Sequence, residues 1–247
     1  MMNNKSFFKS YAGKYVPALG YYIHILNPTA NVKINFKGIA IGDGLCDPEM
    51  MVGGYPDFLY QIGMVDENQR LFLQEQTDLA IKYIQEEKWI AAFEEPLDQE
   101  YFGSFLSLSE VRKSIHVGNL TFHDGSEVEK HLLSDVMKTV KPWLAVLMDN
   151  YRVLIYSGQL DIIVAAPLTE RFLPTVPWSK VEEYKKAERI VWKVTPADTE
   201  VAGYVRVAGE FSQVIVRGGG HILPYDQPER SYAMIDRFIR KCKDLNC

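Results

Sequence analysis

The chain has 247 residues, 47% hydrophobic and 24% charged, the proportions of an ordinary globular protein with room for one full core or a core plus an inserted subdomain. Its formal net charge of -5 argues against nucleic acid or an anionic membrane surface as partner, and no apolar run is long enough to span a bilayer. The start, Met1-Met2-Asn3-Asn4-Lys5-Ser6-Phe7-Phe8, lacks an apolar stretch of signal-peptide length, so no export signal is expected in the chain as written.

In chain order, a helix is expected to run on from the 10–19 stretch through Tyr21, Tyr22 and Ile25, ended by Asn27-Pro28 because the residue before proline avoids helical backbone. Residues 32–41 read as a strand, with Ile34, Phe36, Ile39 and Ile41 apolar, and Gly42-Asp43-Gly44 reads as a plain turn after it. From Cys46 to about Gly125 the pattern is helical without strands, with candidates at 55–62, 66–85 and 109–116. A long amphipathic helix is expected over 127–148, bent or interrupted at Pro142. A β-branched run ending at Tyr156, a helix from Pro167, a hairpin of 190–194 with 201–207, a last strand at 213–216 and a closing helix opened by Pro228 complete the chain.

Two stretches organise this pattern. Val153-Leu154-Ile155-Tyr156-Ser157-Gly158-Gln159-Leu160-Asp161 and Gln213-Val214-Ile215-Val216-Arg217-Gly218-Gly219-Gly220-His221 each open as an unalternating apolar run, the signature of a strand buried on both faces of a parallel sheet. Each then breaks at glycine and delivers one ionisable residue. An acid and then a histidine on loops at the carboxyl ends of parallel strands match the last two members of an α/β-hydrolase triad.

The three cysteines define no framework. Cys242 and Cys247 are close enough to pair in an oxidising compartment, leaving Cys46 alone, and no metal site is expected because none has ligand spacing with a histidine. Asn4-Lys5-Ser6 and Asn119-Leu120-Thr121 are sequons that matter only if the chain is secreted; Asn119 is the candidate glycosylation site.

With Ser10-Tyr11-Ala12-Gly13-Lys14-Tyr15-Val16-Pro17, the Gly158-x-x-Asp161 loop and Gly218-Gly219-Gly220-His221-x-x-Pro224 in hand, the chain resembles the serine carboxypeptidases, and within them the vitellogenic carboxypeptidase-like branch. The resemblance runs from Ser10 onward over nearly the whole chain. It implies an α/β fold: an incomplete α/β-hydrolase with a mostly parallel sheet and a helical cap insertion. Its parts are a residual core over 1–44, the cap over 45–126 and a second core portion over 127–247. It implies Ser10 as nucleophile, Asp161 as orienting acid and His221 as general base, with the backbone N–H of Tyr11 as oxyanion donor. No cofactor is implied. The expected substrates are the C-termini of peptides or proteins, and the expected setting is secreted or lysosomal.

The chain departs from the family pattern at two positions before the serine, with Phe8 where the nucleophile elbow has glycine and Lys9 where the family has glutamate. Lys9 can pair directly with a substrate carboxylate. Family members carry roughly a further half domain before the serine, whereas only Met1 to Lys9 precede Ser10 here, so an N-terminally shortened form is expected. The strand over 32–41 would then present an open edge through which copies of the chain could associate. The alternative reading is a shortened, catalytically silent hydrolase-like protein with a binding role or no stable function; an esterase or acyltransferase on the same scaffold is a third.

Overall fold

The structure, a computed structural model, describes residues 9–93, 108–114, 116–118, 126–242 and 245. Six strands form one sheet: β1 (Lys9–Ser10), β2 (Gly38–Gly44), β3 (Arg152–Gly158), β4 (Ile190–Trp192), β5 (Gly203–Ala208) and β6 (Phe211–Val216), in the spatial order β1-β2-β3-β6-β5-β4. The pairings β1–β2, β2–β3 and β3–β6 are parallel, and β6–β5–β4 is antiparallel, so the sheet is mostly parallel.

Burial explains the strand pattern. Val153, Leu154 and Ile155 of β3 are each no more than 2% exposed, which requires cover on both faces of the sheet. On one face Ile39, Ile41, Val153, Ile155 and Phe211 pack against α8 (Lys141–Asn150) and α9 (Ala166–Phe172). On the other, Leu154, Val205, Val214 and Val216 pack against Met234 and Phe238 of the closing helix (Pro228–Arg240). Each such fully buried side chain stabilises the fold by about 1.5–3 kcal/mol.

Between β2 and β3 the described residues are helical: α2 (Pro48–Val52), α3 (Tyr55–Gln61), α4 (Glu67–Gln85), α5 (Trp89–Phe93), α6 (Ser109–Ser114), α7 (Ser126–Val136) and α8. Helix α4 starts at a reciprocal capping box, in which Gln69 N–H donates to the Asp66 carboxylate (2.8 Å) and Asp66 N–H to the Gln69 side chain (2.9 Å). Ile84, Val136 and Met137, with Trp89 and Phe93, form a small separate core joining α4, α5 and α7.

Three expectations are corrected. The strand expected over 32–41 is β2, which begins only at Gly38, opposite the first residue of β3, Arg152. The preceding residues are held differently: the Asn27 side chain pairs with both backbone groups of Ile34 at 2.8 Å, while Val32 and Ile34 stay exposed. The single helix expected over 127–148 is two, α7 and α8, separated at 137–140, with Pro142 in the first turn of the second, where its missing N–H costs nothing. The open edge expected on the first strand is partly covered, because β1 pairs with β2 at Lys9↔Gly42 and Ser10↔Gly44.

The expected hairpin is present, with Ile190 opposite Val205 and Trp192 opposite Gly203. Cys242 is disulfide-bonded and Cys46 is buried and free. Cys247, Phe8 and both sequons, Asn119 included, lie outside the described residues. No described helix is long and apolar enough to cross a membrane.

Candidate active site at the carboxyl ends of the parallel strands

Because β1, β2, β3 and β6 run parallel, the loops that follow them emerge at one end of the sheet, where Ser10, Asp161 and His221 all sit.

Ser10 ends β1 and stands immediately before α1 (Ala12–Leu26), with Tyr11 as the helix N-cap. Its φ of 60° is a left-handed conformation that a serine adopts only when its surroundings enforce it, as at a sharp strand-to-helix turn. Two contacts enforce it. The Ser10 carbonyl accepts from Leu45 N–H at 2.8 Å, and Gly13 brings the first turn of α1 against that same loop. A Cβ on Gly13 would lie 2.5–2.6 Å from the backbone N, C and O of Leu45, so only glycine fits.

The Tyr11 hydroxyl donates to Asp135 Oδ2 (2.9 Å), and burial together with that carboxylate pushes its pKa above the ordinary phenol value. The side chain is thus tied to the end of α7, and Tyr11 can face the site only through its backbone. Lys9 is fixed as a backbone position opposite Gly42.

Asp161 is 1% exposed. Its Oδ1 accepts N–H groups from Ile163 (2.7 Å) and Val164 (3.1 Å), and its Oδ2 lies 2.9 Å from His221 Nδ1. Burial opposes its ionisation, but the hydrogen bond and charge of His221, then the two backbone donors, outweigh this and hold the carboxyl below its ordinary range. An ionised carboxylate only accepts hydrogen bonds, so Nδ1 carries the proton and Nε2 becomes the basic nitrogen of the ring.

The glycines around His221 permit this contact. A Cβ on Gly158 would fall 2.3 Å from the Gly220 carbonyl oxygen and 2.5 Å from that of Gly219, so the loops after β3 and β6 pack backbone against backbone. Gln159 N–H donates to Val216 (2.9 Å) and Leu160 N–H to Gly219 (2.8 Å), and Gly220 N–H donates to Asp226 Oδ2 (2.8 Å).

Two positioning residues were not read from the sequence. Asp43, expected in a plain turn, is the penultimate residue of β2, fully buried at φ 45°, and its Oδ1 accepts from Gly158 N–H at 2.8 Å. It ties the β2 end to the acid-bearing loop, and flanking glycines were its only sequence signal. Tyr55 of α3 donates through its hydroxyl to the Ile163 carbonyl, beside Asp161. Burial, followed by the Asp161 charge, pushes its pKa up to about 12.

The structure therefore places Asp161 and His221 in direct contact, and Ser10 on a strained turn at the same end of the sheet. Among the described residues, no group of three or more His, Cys, Asp or Glu side chains is placed to hold a metal ion.

The profile of the serine carboxypeptidase family matches residues 3–92 and 80–241. The chain is 53% identical over 264 aligned positions to the probable serine carboxypeptidase CPVL of Homo sapiens, covering 94% of this chain and 56% of that protein. It is 40% identical to the venom serine carboxypeptidase of Apis mellifera (93% of this chain, 56% of that protein) and 38% identical to the vitellogenic carboxypeptidase of Aedes aegypti (94% and 56%). It thus spans a little over half the length of these relatives, 56% in each case. Among solved structures it resembles Kex1(delta)p, a prohormone-processing carboxypeptidase from Saccharomyces cerevisiae, with a TM-score of 0.67 at 18% identity, covering 94% of this chain and 61% of that one. At that identity the likeness speaks for the fold alone, a mostly parallel α/β-hydrolase fold. The chain belongs to the serine carboxypeptidase family.

Proposed function

We propose that the chain carries a serine-type carboxypeptidase site in which Ser10, His221 and Asp161 act as a triad on the C-termini of peptides or proteins. The observation that carries the proposal is the contact of 2.9 Å between buried Asp161 and His221, at the sheet end where Ser10 occupies a strained turn. In this reading His221 Nε2 takes the proton of the Ser10 hydroxyl as Oγ attacks the scissile carbonyl. Asp161 keeps the proton on Nδ1 and balances the imidazolium that forms. The tetrahedral oxyanion accepts from the Tyr11 N–H at the start of α1. His221 then protonates the departing amine as the C–N bond breaks, and water releases the acyl group from Ser10 by the reverse proton path.

Lys9 is proposed to bind the substrate's terminal carboxylate as a point charge, in place of the acid the family pattern has there. Leu160, Ile162, Ile163 and Ile222, exposed around the acid and histidine loops, offer an apolar rim suited to a substrate side chain. The proposed division assigns catalysis to the core portions 1–44 and 127–247, with 45–126 as the cap. A secretory or lysosomal setting is supported by the disulfide at Cys242, which needs an oxidising compartment, and by the venom origin of one relative.

The test is release of the terminal amino acid from a blocked dipeptide, compared with turnover of an aryl ester. The proposal expects dipeptide cleavage that vanishes in Ser10→Ala, and a raised KM with little change in kcat for Lys9→Met. Ester turnover without dipeptide cleavage would instead support an esterase. A folded chain active on neither substrate would support a silent hydrolase-like protein.

A further inference from the structure

A second polar cluster lies on the face of the sheet that carries α9, beside the acid-bearing loop after β3, whose Gln159 lines it. A cavity of about 430 Å3 opens there between α3, α9 and β5, with Phe58, Pro167 and Tyr204 as its apolar wall and Glu170, Arg189 and Arg206 as its charged one. Glu170 is the one carboxylate among the described residues lining it. It is shared: Arg206 Nη1 approaches Oε2 at 3.3 Å, Arg189 Nη2 approaches Oε1 at 3.5 Å, and Gln213 Nε2 donates to Oε1 at 3.0 Å. One negative charge thus serves two guanidinium groups, and a net positive charge remains on the cavity wall.

Both arginines are also held by aromatic faces. The Arg206 guanidinium lies 5.1 Å above the Tyr184 ring and that of Arg189 lies 5.2 Å above the Tyr204 ring, which fixes both forks in space. Arg206 Nη1 divides its donation between Glu170 and the Tyr184 hydroxyl, both at 3.3 Å, while its Nε is buried with no hydrogen-bond partner. An orphaned buried donor of this kind is destabilising. Two pre-set planar forks with surplus positive charge match a carboxylate better than a neutral group. The aromatic wall of Phe58 and Tyr204 suits a flat apolar body attached to it.

We propose that this cavity is an accessory site for an aromatic carboxylate, separate from the catalytic groups and independent of whether they turn over. Arg189 and Arg206 hold the carboxylate, and Phe58 with Tyr204 flank the ring.

The test is 19F NMR titration of the purified chain with 4-fluorobenzoate, with neutral 4-fluorobenzamide as control and inorganic phosphate as competitor. The expected result is saturable binding of the benzoate, at least tenfold weaker binding of the benzamide, and at least tenfold weakening in Arg206→Gln. Arg189→Gln is the second variant, because that side chain is 46% exposed and can be changed without emptying the core. Its circular dichroism should match the parent while benzoate affinity falls. Ser10→Ala and Lys9→Met should leave affinity unchanged. Four outcomes overturn the proposal: no saturable benzoate binding, equal binding of the benzamide, phosphate binding as tight as benzoate, or binding lost in Lys9→Met and kept in both arginine variants. The last would place the ligand at the catalytic end instead.

Discussion

Replacing Gly13 by alanine isolates the device that shapes the Ser10 turn. The new Cβ would stand 2.5 Å from Leu45 N, the same atom that donates to the Ser10 carbonyl at 2.8 Å, and 2.6 Å from Leu45 C and O. These are backbone atoms and cannot rotate aside, so the loop must retreat by roughly 1 Å to reach ordinary contact. Overpacking of this kind costs about 1–3 kcal/mol, sometimes more, whereas Gly→Ala in a helix returns at most about 1 kcal/mol. The steric term wins, and we expect a net loss of about 1–2 kcal/mol, or a Tm lower by about 2–8 °C for a chain of this size.

Gly20, in the same helix, is the internal control. Its added Cβ would meet Leu147 Cδ1 at 3.0 Å and Ile39 Cγ2 at 3.3 Å, methyl groups that can give way. There the two terms nearly cancel, and Gly20→Ala should lie within about 0.5 kcal/mol of the parent. Thermal unfolding of both variants followed by circular dichroism separates them. Equal melting temperatures would refute the claim that backbone contact at Leu45 enforces the turn.

Other consequences follow from neighbouring groups. Asp43→Ala leaves the buried Gly158 N–H without its acceptor and should cost about 2 kcal/mol, while Asp43→Asn, which keeps an acceptor and tolerates positive φ, should cost less than half as much; urea unfolding of both checks this. Asp161 has its carboxyl held below the ordinary 3.8, so its stabilising contribution is present above that pH and is lost as pH falls through the lowered folded-state value. The stability gap between the parent and Asp161→Asn should therefore stay constant from neutral pH down toward 3.8 and close below it; a gap that closes well above 3.8 would contradict the lowered value. The exposed α1 face, with Leu19 61% and Tyr22 60% exposed, predicts concentration-dependent self-association in sedimentation velocity that Leu19→Lys with Tyr22→Lys abolishes; a parent that stays monomeric at rising concentration would rule it out.

The parallel core was legible because burial on both faces writes itself as an unbroken apolar run. Val153 to Ile155 and Val214 to Val216 carry that signal, and the glycines after them announce the loops that bring Asp161 and His221 together. The start of β2 was not legible. Apolar residues continue upstream through Ile34, but a strand begins where its partner does, and β3 begins at Arg152, opposite Gly38. Nor could the break between α7 and α8 be placed, since Pro142 is equally at home inside a kink or in a first turn; it lies in the first turn of α8. Asp43 was misread for a related reason. Gly-Asp-Gly has the composition of a turn, and only the register of β2 against β3 brings its carboxylate to Gly158 N–H.

In the proposed site, the turn at Ser10 and the Asp161–His221 pair together activate the serine. Fluorophosphonate labelling of the purified chain, with Ser10→Ala and His221→Ala beside it, tests this most directly, because only an activated serine reacts readily. The expected result is labelling of the parent that is abolished in Ser10→Ala and strongly slowed in His221→Ala. A parent that circular dichroism shows to be folded, yet that takes up no label, would contradict it.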